Sequence, residues 1–202
     1  MVTRWTKLAS VGGLLLISSL ASVVGASEDD QKSAATISLE GAGRQRWSLR
    51  VEPDRLVGDQ NVLQREDDVV FGFLRNQRVR LRLKERTPGG RLVGGKDLLS
   101  YSRTGGEVHL TGLFQGNQVE VRLDDLRLWL SDSSISVTLR PADSGVDRLV
   151  LSDPTGDVRL ILEGCSRDTL RNRPELLFML NRMTLQWLAY HQDVHNATPR
   201  GG

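Results

Sequence analysis

The stretch Gln77-Arg78-Val79-Arg80-Leu81-Arg82-Leu83-Lys84-Glu85-Arg86 alternates apolar and cationic side chains. Read as a strand, it sends Val79, Leu81 and Leu83 to one face and Arg78, Arg80, Arg82 and Lys84 to the other. Same-face neighbours stand about 6.5–7 Å apart, so the four cations line roughly 20 Å of surface. Guanidinium forks suit phosphate and carboxylate oxygens. The row therefore predicts a contact for an anionic ligand, whether a polyanion, phospholipid headgroups or an acidic polysaccharide. A competing account is structural. Asp67, Asp68, Glu120, Asp124 and Asp125 are available to neutralise the row through cross-strand pairs.

The remaining chemistry-bearing residues are sparse. Gly90-Arg-Leu-Val-Gly94-Gly95-Lys96-Asp97 fits the first seven positions of a phosphate-loop pattern, but Asp97 stands where a magnesium-holding Ser or Thr belongs. The pattern also needs a helix next, and Leu98-Leu99-Ser100-Tyr101 reads as strand. His191-Gln-Asp193-Val-His195 sets two imidazoles one helical turn apart, a spacing able to grip a metal. Asp193 falls about 200° around the helix from His191 and cannot join them, so solvated helix-end histidines are the plainer reading. His109 has no nucleophile pattern near it, and the chain holds no Gly-x-Ser-x-Gly elbow. Cys165 follows a strongly apolar run, which predicts burial. Asp67-Asp68 and Asp124-Asp125 adjoin strand ends, where solvated turns are common. Asn196-Ala-Thr198 is a formal glycosylation acceptor, weakened by Pro199. No catalytic residue, cofactor or metal site is assigned.

The elements that must carry these residues are mostly strands. Period-two alternation recurs at Ile37–Leu39, Trp47–Val51, Val69–Phe73, Val79–Leu83, Val108–Leu110, Val119–Leu123, Ile135–Leu139, Leu149–Leu151 and Val158–Leu162. Gly, Pro, Asn and Asp clusters separate the runs, so neighbours are expected to pair antiparallel through hairpins. The fold class is mainly β: an antiparallel barrel or two-sheet sandwich of about nine to eleven strands. One C-terminal amphipathic helix follows at about 174–192, opened by Pro174 and Glu175. Leu176, Leu180, Met183, Trp187 and His191 form its stripe, with Leu177, Thr184 and Leu188 alongside. It is expected to pack on the sheet or cover an open end.

Residues 1–26 combine Arg4 and Lys7, an uncharged stretch from Leu8 to Val24, and Gly25-Ala26 before Ser27. That is the pattern of a cleaved signal peptide, with an uncleaved anchor as its rival. The expected organisation is then a flexible leader at 27–35, a single β-rich domain at 36–195, and a loose tail at 196–202. Cleavage removes two of the 27 Lys and Arg and none of the 25 Asp and Glu, so the mature chain is neutral. A nucleic-acid binder needs a basic excess, and none survives.

With one cysteine, three histidines and 39% hydrophobic residues in 202, neither a disulfide miniprotein nor wholesale disorder fits. The sequence suggests an exported, non-catalytic binding or carrier protein of the periplasm or cell envelope. Its partner would be a lipid or amphipathic small molecule held inside the β-structure. The alternative is a structural or protein-interaction module of the envelope, recognisable by a filled core and an exposed edge or apolar patch. A hydrolytic enzyme is the third class. The mature protein is not expected to be integral to the membrane, since arginine and aspartate crowd the outward strand faces. N-terminal sequencing of protein recovered from its host checks the export reading: the chain should begin at Ser27.

Overall fold

The alternating runs build strands, and the strands close into one barrel. The computed structural model describes residues 35–41, 47–86, 96–145 and 147–197; the signal-peptide region, nearly all of the leader and residues 198–202 lie outside these. The strands are β1 (Ala35–Gly41), β2 (Trp47–Val51), β3 (Arg55–Gly58), β4 (Asn61–Glu66), β5 (Val69–Leu74), β6 (Gln77–Glu85) and β7 (Leu98–Thr104). They continue with β8 (Glu107–Phe114), β9 (Asn117–Leu123), β10 (Leu128–Asp132), β11 (Ser136–Ser144), β12 (Arg148–Ser152) and β13 (Val158–Glu163). Two helices end the chain, α1 (Arg167–Asn172) and α2 (Pro174–Ala197). The mainly β class with a terminal helix is as the sequence implies. Thirteen strands exceed the expected nine to eleven, and the sandwich is ruled out by closure of β1 onto β13.

Neighbours in sequence are neighbours in the wall, and all pairs but one are antiparallel. The exception is β6–β7, which pair in parallel, Arg82 with Leu98 through Glu85 with Tyr101. This corrects the expectation of uniform hairpins, and the reason is parity. Strand directions that alternate around a ring cannot close on an odd count without one parallel pair. The run from Arg86 to Asp97 supplies the roughly dozen-residue connection a parallel pair needs.

Inward positions follow the alternation. Leu49, Leu63, Leu81, Leu110, Val121, Leu130 and Leu160 are all buried. With strands about 4.8 Å apart and tilted roughly 40°, a thirteen-strand wall is about 26 Å across between backbones. Side chains from opposite walls leave a bore about as wide as a helix, roughly 10–12 Å.

That bore is where α2 goes. From Pro174 to Leu185 every residue but Arg182 is buried, though the positions point in all directions around the helix axis. Its partners come from all round the wall. Phe178 meets Phe114 of β8 edge-on at 5.0 Å between ring centres. Asn181 donates to the Ser131 carbonyl of β10 at 2.9 Å. Arg65 of β4 reaches Glu175 at 3.1 Å. The Trp187 ring lies against Gly41 of β1 so closely that a Cβ there would sit 2.0 Å from it. The helix thus threads the barrel and neither covers an end nor packs outside the sheet. It also runs to Ala197, past the expected end near 192.

Short α1 fixes the entry. Ser166 caps it, accepting from the Thr169 amide at 3.1 Å. Arg171 donates to the Gly106 carbonyl at 2.9 Å in the β7–β8 turn and pairs with Asp125 in the β9–β10 turn. At the mouth, Arg173 donates to Glu175 at 2.7 Å and to the Glu52 carbonyl. No helix among the described residues is long and apolar enough to cross a membrane.

Phe178 is wholly buried while Phe73, on the outer wall, is 52% exposed. Phe178→Ala should therefore lower stability by about 3–5 kcal/mol, and Phe73→Ala should stay within about 0.5 kcal/mol of wild type. Urea denaturation followed by tryptophan fluorescence measures both.

Candidate anion-binding surface

The cationic row lies on the outer wall, as its alternation implies. In β6 the burial pattern sends Val79, Leu81 and Leu83 into the core and leaves Arg78, Arg80, Arg82 and Lys84 exposed. The β5–β6 hairpin holds this phase, turning through Arg75 and Asn76, both at positive φ. Two central residues at positive φ match the twist of the flanking strands.

Three of the five acids proposed to neutralise the row are engaged elsewhere, and Asp67 and Asp68 lie beside it. Glu120 bonds His109 at 3.1 Å and Arg122 at 2.6 Å. Asp124 holds Arg127 at 2.7 Å, and Asp125 holds Arg171. Burial alone would raise the Glu120 carboxyl, but bonds from Arg122 and His109 outweigh it and hold the group below the usual carboxylate range. Among the described residues, no acid forms an ion pair with Arg78, Arg80, Arg82 or Lys84. Glu66, Asp67 and Asp68 line one groove with Arg78, Arg80, Phe71 and Phe73. Asp68 shares a groove of about 480 Å³ with Arg80, Arg82, Lys84 and Lys96.

Beside the cations runs an apolar strip. Register places Val57 of β3 opposite Val62 of β4, Val62 opposite Phe73 of β5, and Phe73 opposite Arg78 of β6. Two register positions further along the strands, on the same face, Phe71 stands opposite Arg80. Val62 is 40% exposed, and Phe71 is half-buried. Gly72 sets the spacing: at φ +143° it brings β5 so near β4 that a Cβ would meet the Val62 carbonyl oxygen at 1.9 Å. The strip escaped the sequence reading, although Val69, Phe71 and Phe73 share a phase opposite to buried Val70, which was its signal.

The other candidates do not assemble into a site. His109 bridges to Glu120 on the outer wall. Lys96 and Asp97 form a turn leading into strand β7, and the Asp97 carboxylate accepts from the Gln115 amide at 2.7 Å. A phosphate loop requires a helix there, so the glycine pattern has no phosphate-binding framework. His191, Asp193, His195 and Asn196 belong to the last turns of α2, but their side chains lie outside the described residues. No three His, Cys, Asp or Glu converge on a metal-holding point among the described residues. Cys165 is buried, and that burial pushes its thiol up to about 11 against weaker opposing effects of Thr169 and Arg173.

This geometry defines a closed β-barrel with a helix-filled bore and a cationic-apolar outer face. Compared with known proteins, the chain matches no family model, no curated protein and no solved structure.

Because only a thiolate reacts, Cys165 should resist alkylation at pH 8 in the folded protein. It should label rapidly once denaturant opens the barrel. Mass-spectrometric iodoacetamide labelling reads both rates, and fast labelling of the native fold would contradict the burial.

Proposed function

We propose that this protein is an exported, non-catalytic interaction module of the cell envelope, acting through its outer wall. One observation carries the reading: α2 occupies the bore that a carrier would need for its ligand. A lumenal carrier, the first expectation from the sequence, would have to expel Phe178, Leu176, Leu180 and the Glu175 ion pairs to make room. Those groups are buried in the hydrophobic core or anchor the helix to the wall. The apolar strip beside β6 supplies the exposed patch that an interaction module predicts.

Export rests on the basic, apolar and small-residue order of residues 1–26. A peripheral location in the periplasm or outside the cell suits the outer wall. Arg50, Arg80, Arg122, Arg148 and Arg159 are exposed on five different strands. In a lipid-facing wall such side chains cost about 2–4 kcal/mol each near the midplane.

Native mass spectrometry of protein purified from its host envelope tests this reading. After a high-salt wash, the mass should equal the bare chain or the chain plus a second polypeptide. An amphiphile that survives the wash and is released only on denaturation would restore the carrier.

A further inference from the structure

We propose that the β4–β6 face docks onto an anionic lipid surface, its cations on headgroup phosphates and its apolar strip at the acyl boundary. The inference rests on the interaction-module reading and names its partner.

Charge complementarity comes first. Arg78, Arg80, Arg82 and Lys84 are exposed, same-faced and without an ion pair among the described residues, whereas Arg50, Arg55, Arg122, Arg127 and Arg171 on the same protein each hold a carboxylate. With Lys96 the face carries five cations against the Glu66, Asp67 and Asp68 that share its grooves, a cationic excess. A row spanning roughly 20 Å meets several headgroups at once. The apolar strip decides between two kinds of anionic partner. An acidic polymer needs cations and leaves Phe73 and Val62 in water. A bilayer surface takes both: phosphates meet the guanidinium forks, and the Phe73–Val62 pair, directly opposed in register, buries in the boundary beneath them. Arginine suits this position because its stem lies along apolar surface while its head stays with the phosphates. The convex wall supplies the face without insertion of any strand.

Each cation close to an anionic membrane surface is worth roughly a fivefold change in partitioning. Vesicle flotation with the protein purified from its host provides the test. Wild type should float with vesicles containing about 30% phosphatidylglycerol and not with pure phosphatidylcholine, since zwitterionic lipid has no surface charge to attract the row. About 0.5 M salt, where screening shortens to a few Å, should release it. Arg80→Ser with Arg82→Ser should lower partitioning roughly thirtyfold. Phe73→Ala should lower it about fivefold or more, as expected for an aromatic ring withdrawn from the boundary. All variants share one N-terminus and differ only on this face, and far-UV circular dichroism confirms their fold.

Three outcomes overturn the proposal. Equal flotation of the double arginine variant would do so, as would equal binding to zwitterionic vesicles. Loss of binding in the arginine variant with none in Phe73→Ala, together with binding to heparin, would assign the row to an acidic polymer. Failure here with a polypeptide still copurifying removes the lipid partner and leaves the interaction module standing. A small molecule retained in the bore removes the module itself.

Discussion

The fold depends on mutual filling of barrel and helix. A thirteen-strand wall encloses too much space for its own side chains, and a helix apolar on every side has no stable existence in water. Each solves the other's problem. Leu176, Leu177, Phe178, Met179 and Leu180 are consecutive and wholly buried, which one face of a sheet cannot achieve for a helix lying on it. Polar groups then fix how far the helix enters. Glu175 sits between Arg65 on the wall and Arg173 at the mouth, and Asn181 bonds the carbonyls of Glu120 and Ser131. An apolar bore alone would let the helix slide or rotate at little cost; a buried carboxylate matched to two guanidiniums allows one position, because leaving it unpaired costs several kcal/mol.

Parity imposes the second constraint. Thirteen alternating strands cannot close, so one junction must be parallel, and the chain places it after β6. The parallel ladder engages only Arg82 to Glu85. From Gln77 to Leu81, β5 is the described strand paired with β6. The cationic row therefore belongs to the strand at which the regular wall is interrupted. Around β8 to β10 the outer-wall charges pair: Glu120 of β9 holds Arg122 on its own strand and His109 across on β8, with Arg122 stacked over Trp129 of β10 at 5.1 Å.

Much of this was legible in the sequence. Regular alternation marked ten of the thirteen strands, counting Leu98–Tyr101, and Pro174 marked the helix start. The strands that escaped are those whose inward positions are polar or few. β4 turns Asn61 and Arg65 inward because α2 brings Glu175 to meet Arg65, so its alternation depends on a partner more than a hundred residues away. β3 has one buried apolar residue, Leu56, and β10 is five residues long with Trp129 on the outer face. The helix position was encoded too, in five successive apolar residues, but the stripe at three- and four-residue steps suggested a single buried face. For the candidate site, the phase of Arg78 to Lys84 was readable from β6 alone. The apolar strip beside it is assembled from β3, β4 and β5 by register, which no single segment carries.

Filling the bore also confines any function to the outside. Inward side chains are committed to holding α2, and changing one to make a cavity removes packing that the helix needs. Outward side chains carry no such obligation, and their arrangement differs from sector to sector. Around β8 to β10, charges are balanced and rings are covered by guanidinium. Around β4 to β6, four like charges stand about 7 Å apart beside exposed Phe73 and Val62. Stability favours neither choice, because the row repels itself and the exposed ring gains nothing from folding. Among the described residues, Glu66, Asp67 and Asp68 stand near the second sector but form no ion pair with its row, unlike the acids of the first. On the proposed reading, the uncompensated charge and the exposed ring have one cause: both are satisfied by a partner that is anionic at its surface and apolar just beneath.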